Sequence, residues 1–338
     1  MIRFLLRSVL LLVLLAAVAA GIGTWFAHRP LALKSEVVDF TVQRGLGMRQ
    51  AAKLIAEAGV DVDPAWLSWL ARIGGRANSI KAGSYEVHAG ITPWQLVLKL
   101  SDGDVSQADV LLVEGWTFSQ VRKVLESHPE LEPDTAGLSD AEILARIGAA
   151  EPHPEGLFFP DTYLFDKRSD ASGVLRRAYH AMQQRLDQAW AARDPALPLK
   201  TPYEALILAS IVEKETGRAE DRGLVASVFA NRLRIGMPLQ TDPTVIYGLG
   251  ADFDGRLRRK HLETDHPWNT YTRGGLPPTP IAMPGPDALL AAVKPQQSEF
   301  LYFVSRGDGS SQFSRTLAEH NQAVNRFIRN AGRPGSKP

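Results

Sequence analysis

The sequence predicts an α+β protein in three parts: an N-terminal transmembrane helix, a small α+β module and a larger mixed α+β domain. Three observations predict this organisation. An uncharged run of 19 residues, 9–27, is long enough to cross a bilayer. Residues 36–106 show strand and helix patterns in the order strand, helix, helix, strand. Residues 108–331 combine long amphipathic helices with short apolar strands.

The composition limits the classes of function. The 338 residues include 38 basic and 37 acidic side chains, so the net charge is +1. Nucleic-acid binding usually requires a clear basic excess, and no nucleic-acid partner is predicted. The absence of cysteine excludes disulfides, thiolate nucleophiles and cysteine-ligated zinc. Because the eight histidines show no paired metal-ligand spacing, no metal site is predicted.

The apolar run 9–27 predicts where the protein works. At about 1.5 Å per residue, a helix of this length spans roughly 28 Å, close to the hydrocarbon thickness of a bilayer. Trp25 and Phe26 stand where an interfacial aromatic belt would lie. Residues 1–8 would then be a short cytoplasmic N-terminus, with the remainder outside the cytoplasm. The alternative is a cleaved signal peptide with its cleavage site at 17–19, but the apolar run continues well past that site.

The region 36–106 predicts a compact α+β module. Its order of elements resembles a LysM-like glycan-binding module, and the alternative is a small linker domain without a ligand. Pro64 is well placed at the first position of the second helix. The predicted elements are strand 37–42, helix 48–58, helix 64–73, strand 83–87 and helix 93–100.

The region 108–331 predicts the larger domain. It contains an aromatic cluster at 154–166 and, near its centre, a helix that is apolar almost all round. The polar tail 332–338 is predicted to be flexible. The predicted elements are a strand at 110–117 that runs into a glycine turn, and helices at 118–127, 140–147, 173–193 and 201–217.

The helix TPYEALILASIVEKETG, residues 201–217, predicts a buried element. Thr201 can cap it, Pro202 fits its first position and Glu204 can complete a capping box. Gly217 is well placed to end it. Because the segment between these ends is apolar on all sides, the helix should lie in the core.

Two carboxylates, Glu213 and Glu215, lie in the last turn of this helix. At about 100° per residue they are roughly 200° apart, so they point to nearly opposite sides. Glu215 continues an apolar stripe, where desolvation and the negative end of the helix dipole both raise a carboxyl pKa. A raised pKa suits the general acid of a glycosidase. The alternative is that Glu215 only forms an ion pair with Lys214, Arg218 or a nearby arginine.

Five long motifs follow one another along the second half of the chain. They are EGLFFPDTY at 155–163, ASIVEKETG at 209–217, VASVFANRLRIGMPLQTDPTVIYGLG at 225–250, WNTYTRGGLPPTPIAMPG at 268–285 and FSRTLAEHN at 313–321. These motifs, in this order, resemble the endolytic murein transglycosylase family, the YceG-like proteins. The resemblance extends from about residue 36 to 330.

The resemblance implies an enzyme of the cytoplasmic (inner) membrane whose catalytic domain faces the periplasm. Such an enzyme cleaves between N-acetylmuramic acid and N-acetylglucosamine within a glycan strand and forms a 1,6-anhydro ring without water. The family's catalytic Glu precedes Thr or Ser, which Glu215 before Thr216 matches and Glu213 before Lys214 does not. The sugar's own 6-hydroxyl is the nucleophile, so no cofactor is implied. Peptidoglycan strands, and possible peptidoglycan synthases, are the implied partners.

Six polar residues in the matching motifs are candidates for holding the sugar and stabilising charge. These candidate substrate-binding residues are Asn231, Gln240, Asp242, Tyr247, Asn269 and Tyr271.

Two other functions stay open. A hydrolytic muramidase would need a second carboxylate to position water, from Glu155, Asp161 or Asp242. A non-catalytic glycan-binding scaffold for cell-wall synthases would use the LysM-like module alone.

Overall fold

The computed structural model describes residues 2–43 and 45–329, so the predicted flexible tail 332–338 lies outside the described residues. The chain is a mixed α+β protein, as predicted. It divides into two compact units, which we call the smaller and the larger unit. The smaller unit contains residues up to 109 with 130–132 and 164–169, and the larger unit contains 110–129, 133–163 and the chain from 170 onward.

The apolar N-terminal segment forms one helix, α1 (Ile2–His28). Within the described residues, the part Leu6–His28 is the one helix that is long and apolar enough to cross a membrane. The large apolar side chains described in this part are exposed, which a bilayer would explain. Because a signal sequence has the same length and composition, both sequence interpretations are compatible with this helix.

The smaller unit is built on one antiparallel strand pair. Strand β1 (Val37–Val42) pairs with β2 (Gly83–His88) along its whole length. Helices α2 (Met48–Ala58) and α3 (Pro64–Ile73) lie between them in the chain, and α4 (Pro93–Asp102) follows β2. The predicted strand–helix–helix–strand order is confirmed, with β2 and α4 slightly longer than predicted.

Local sequence signals explain these boundaries. The Asp63 carboxylate accepts a hydrogen bond from the Trp66 N–H (2.8 Å), so Asp63 caps α3 immediately before Pro64. The alternate residues of β1 face inward, where Phe40 stacks on Tyr85 with ring centroids 5.7 Å apart. Apolar residues of α2, α3 and α4 complete this core.

The larger unit is mainly helical. Three strands have residues in both units: β3 (Gln107–Leu111), β5 (Thr162–Asp166) and the short β6 (Ser169–Asp170). The short strand β4 (Leu131–Glu132) belongs to the smaller unit. The remaining elements of the larger unit are α5 (Phe118–Glu126), α6 (Asp140–Ile147), α7 (Ala171–Ala191), α8 (Pro202–Glu215), α9 (Ala219–Arg234), α10 (Asp242–Leu249), α11 (Arg259–Glu263), α12 (Pro286–Val293), β7 (Tyr302–Ser305), β8 (Ser311–Ser314) and α13 (Leu317–Val324).

The predicted position of the strand at 110–117 is wrong. The strand β3 ends at Leu111, and the following segment is a loop. Gly115 in this loop has φ of 76° and donates its N–H to the Met283 carbonyl (2.8 Å). Met283 in turn donates to the Trp116 carbonyl (2.7 Å), so the backbone groups are satisfied by a distant loop rather than by a strand partner.

Helix α8 is the centre of the larger unit. Eight consecutive residues, Ala205 to Val212, are buried, as the apolar sequence predicts. The Thr201 hydroxyl accepts the Glu204 N–H (3.1 Å), which confirms the cap. The predicted capping box is wrong, because the Glu204 carboxylate accepts the N–H of Lys200 instead (2.6 Å).

The predicted end of this helix at Gly217 is also wrong. Helix α8 ends at Glu215, and Thr216 is already extended, with φ −148° and ψ 128°. The buried Thr216 hydroxyl accepts the N–H of Arg218 (3.0 Å) and holds the chain in this turn. Glu215 is therefore the last helical residue.

Candidate active site

Glu215 lines a cavity of about 360 Å³ in the larger unit. Three of the predicted site residues, Gln240, Asp242 and Tyr271, line the same cavity, and Arg232 is a fourth polar neighbour. The loop before α10 and the loop after α11 therefore bring distant motifs to the end of α8. This grouping makes the cavity the candidate active site.

The environment of Glu215 raises its pKa to about 7, chiefly because the carboxyl is desolvated by burial. Asp242 raises the pKa further, while a hydrogen bond from the Thr241 hydroxyl to Oε1 and the charge of Arg232 lower it. The predicted direction of the shift is confirmed. Near neutral pH the carboxyl is thus present in both protonation states, as an acid that later acts as a base requires.

Of the cations considered as structural ion-pair partners of Glu215, the two sequence neighbours Lys214 and Arg218 have other partners, whereas the nearby arginine is Arg232, whose charge acts on Glu215. The Lys214 ammonium donates to the Gly115 carbonyl (3.1 Å), and the Arg218 guanidinium pairs with Glu220 (3.2 Å). Both side chains are exposed. Neither cation is therefore the partner of Glu215.

Glu213 has a different environment, in agreement with its predicted orientation. Its Oε2 accepts the N–H of Gly285 (3.0 Å), the residue that caps α12. Burial raises the pKa of this carboxyl too, although the hydrogen bond from Gly285 acts in the opposite direction. Glu213 does not line the Glu215 cavity, and its contact fixes the start of α12.

Asp242 and Tyr271 form a pair inside the cavity. The Tyr271 hydroxyl donates to Oδ1 of Asp242 (2.5 Å). Burial, followed by this hydrogen bond, raises the pKa of Tyr271 above its ordinary value, so the phenol stays protonated. A neutral phenol that donates to a carboxylate fixes the direction of both groups.

Arg232 is a site residue that the sequence analysis missed. It is buried, and it donates to the carbonyls of Leu239 (2.6 Å) and Leu301 (2.7 Å). Its guanidinium lies over the Tyr302 ring, 5.3 Å from the centroid. An arginine inside the apolar helix motif VASVFANRLR was the available signal, because a buried arginine requires partners.

Three predicted substrate-binding residues do not line this cavity. Asn231 donates to the carbonyls of Ser298 (2.9 Å) and Phe300 (3.0 Å). Tyr247 lines a separate cavity of about 980 Å³ and donates to Glu155 (3.1 Å). The Asn269 side chain is fully buried and donates to three carbonyls, those of His261, Leu262 and Thr264.

Asn269 acts on the site through Tyr271. Its side-chain oxygen accepts the Tyr271 N–H (2.9 Å) while its amide holds the carbonyls of the preceding segment. The side chain therefore fixes the loop that carries Tyr271, and it offers no free polar group to a sugar.

We expect Asn269→Ala to lower the free energy of unfolding by about 2–4 kcal/mol, because the fully buried side chain would leave a cavity and several backbone groups would lose their hydrogen-bond partner. Denaturant unfolding measures this loss. Asn321→Ala is the matched control, since Asn321 is an exposed asparagine in the same unit. An Asn269→Ala variant as stable as the parent would contradict this structural role.

The carboxylates considered for a hydrolytic mechanism lie in three different places. Glu155 is 3% exposed and lines the separate larger cavity, where burial raises its pKa to about 7. Asp161 is exposed and accepts the N–H of Thr162 (2.7 Å). Only Asp242 lines the Glu215 cavity. In the described part of the chain, no three acidic or histidine side chains are grouped so as to hold a metal ion.

Comparisons with known proteins identify the family of this chain. An endolytic murein transglycosylase of Bacillus subtilis (strain 168) is 31% identical over 269 residues, which are 75% of this chain and 74% of that protein. One of Streptococcus pneumoniae serotype 2 is 24% identical over 321 residues, 85% of this chain but 58% of the relative's length. The crystal structure of a YceG-like protein of Listeria monocytogenes aligns with a TM-score of 0.54 and 29% identity, covering 85% of this chain and 98% of that one. Residues 40–326 match the YceG-like family, and the chain therefore belongs to it.

Proposed function

We propose that the protein is a peptidoglycan lytic transglycosylase. It cuts the bond between N-acetylmuramic acid and N-acetylglucosamine within glycan strands and leaves 1,6-anhydro ends. One observation carries the proposal: Glu215, in the family's Glu-Thr motif, lines a cavity, and burial raises the pKa of its carboxyl to about 7. The family match and the names of the relatives support it.

Glu215 acts first as the acid. The protonated carboxyl donates its proton to the bridging oxygen, the bond from that oxygen to C1 of the muramic acid breaks, and the leaving sugar departs as an alcohol. The carboxylate then accepts the proton of the 6-hydroxyl, whose oxygen forms the new bond to C1. One proton enters and one leaves, so Glu215 returns to its starting state and no water is consumed.

The charges around Glu215 suit both steps. Positive charge develops at C1 in an oxocarbenium-like transition state, and the Asp242 carboxylate in the same cavity can stabilise it. The Tyr271 hydroxyl holds that carboxylate in one direction. Arg232 favours the carboxylate form of Glu215 that follows proton donation.

We expect kcat/KM to fall about tenfold per pH unit above a pKa of about 7, because only the protonated Glu215 can start the reaction. The pKa is raised, so the active protonated form is present below it and is lost as the pH rises through it. A pH profile of cleavage of purified glycan strands measures this descending limb.

Glu155 also has a pKa near 7, so Glu155→Gln is the control variant for this profile. It lies in the other cavity and should keep the same descending limb. If the limb disappears in Glu155→Gln, the titration belongs to Glu155 rather than to Glu215.

Mass spectrometry of products from purified peptidoglycan tests the reaction type. We expect 1,6-anhydro ends, which are one water lighter than hydrolytic ends. Reducing ends would show a muramidase, with Asp242 as the carboxylate placed to position water. No cleavage under any condition would favour a glycan-binding scaffold.

We also propose the arrangement of the protein in the cell. Helix α1 anchors it in the cytoplasmic membrane, residues 36–106 form a LysM-like module, and residues 108–331 form a catalytic domain in the periplasm that acts on nascent strands beside peptidoglycan synthases. The strand–helix–helix–strand order of the smaller unit supports the module. The intact mass of the protein in the membrane fraction tests the anchor, because signal-peptide cleavage near residue 19 would remove most of α1.

A further inference from the structure

A continuous set of aromatic rings joins the end of α1 to α3 within the smaller unit. The Trp25 and Phe26 rings are 5.0 Å apart, and Phe26 lies 5.8 Å from Trp66. The next ring, Trp69, is 5.6 Å from Trp66. Ala27 is buried, so the end of α1 is packed into this unit rather than separated from it by a linker. The contact therefore places Trp66 directly beside the last turn of α1.

The outer face of α3 is apolar and exposed. Its inner face places Leu67 and Ala71 in the core, whereas Trp69 is 55% exposed and Ile73 is 63% exposed. Large apolar side chains on a surface next to a membrane helix are typical of residues that enter the interface between headgroups and acyl chains.

A groove beside Trp69 adds positive charge to this face. Its volume is about 430 Å³, and its lining includes Arg49 and Arg72 but no acidic residue. Both arginines are exposed, and neither forms an ion pair with any residue of the described chain. Unpaired arginines close to a membrane surface attract the phosphates of anionic lipids.

We propose that this face of α3 binds the surface of the membrane that α1 crosses. Trp69 and Ile73 enter the interfacial layer, and Arg49 and Arg72 bind phosphates of anionic phospholipids. The inference rests on the proposed retention of the anchor and is independent of the proposed chemistry at Glu215.

A glycan is the other ligand that an exposed tryptophan could suggest. The groove favours lipid because it lacks carboxylates, the usual acceptors for sugar hydroxyls, and because Ile73 extends the apolar surface. Its aromatic face is also continuous with the rings at the end of the membrane helix.

The test uses the full chain in lipid nanodiscs, and the absence of natural cysteine allows single labelling. Ile73→Cys carries a polarity-sensitive fluorophore, and Asp39→Cys is the control on the exposed face of β1. We expect blue-shifted emission at position 73 and quenching by lipids spin-labelled near the headgroup, several-fold stronger than at 39. Equal quenching at both positions would overturn the proposal.

A second comparison identifies the lipid chemistry. Quenching at position 73 should increase when phosphatidylglycerol replaces part of the phosphatidylcholine, and this increase should be lost in Arg49→Gln/Arg72→Gln. An unchanged dependence on phosphatidylglycerol would exclude the arginines. Shielding of position 73 by soluble glycan strands but not by lipid would show a sugar site instead. Cleavage of glycan by the same samples separates failure of this proposal from failure of the proposed function.

Discussion

Glu215→Gln is expected to reduce strand cleavage by about 10⁴-fold, the upper end of the loss for a general acid or base, because one carboxyl performs both roles. Glutamine keeps the size of the side chain and can still accept the hydrogen bond from Thr241. It cannot donate the proton that the leaving oxygen needs. Release of 1,6-anhydro products from purified strands measures the loss.

Glu213→Gln is the matched control, two residues away in the same last turn. Its amide oxygen can still accept the Gly285 N–H, so cleavage should be close to that of the unmodified protein. Thermal unfolding at pH 8 should show that Glu215→Gln is at least as stable as the parent, because a desolvated carboxylate is costly above its pKa of about 7. Normal cleavage by Glu215→Gln would remove Glu215 from the mechanism.

The fold was predictable from the sequence where local signals decide it. The bounds of β1 and α2 follow from residue periodicity, and α3 begins at Pro64 behind its Asp63 cap. The errors arose where distant contacts decide. The loop at Gly115 pairs with Met283, and Thr216 ends α8 before the glycine that would have been its usual terminator.

In the candidate site, too, local features were predictable from the sequence and features that depend on distant contacts were not. The raised pKa of Glu215 was predictable, because Glu215 continues an apolar stripe of α8 that is visible in the local sequence. The roles of Asn269 and Tyr247 were not, because their partners are fixed only by the packing of loops and helices in the larger unit. A motif marks residues that matter together, and it does not distinguish a side chain that contacts the ligand from one that holds its neighbour.

Tyr271→Phe separates these two possibilities within the cavity. The variant loses only the hydroxyl that donates to Asp242. A hydrogen bond to a charged group contributes about 1.5–3 kcal/mol, so we expect the rate of cleavage to fall roughly 10- to 100-fold. The fold should be retained, because the ring is kept and the backbone contact with Asn269 does not depend on the hydroxyl.

Tyr179→Phe is the matched control. Tyr179 lies on α7, away from the cavity, and its hydroxyl also donates to a carboxylate, that of Glu151 (3.0 Å). It should cleave at the parent rate.

A double variant tests how Tyr271 acts. If Tyr271 acts by holding Asp242, then Asp242→Ala and Tyr271→Phe remove the same interaction, and the double variant should lose less activity than the product of the two single losses. Independent losses that multiply would show that the Tyr271 hydroxyl contacts the sugar itself, and a parent-like Tyr271→Phe would leave it as part of the scaffold.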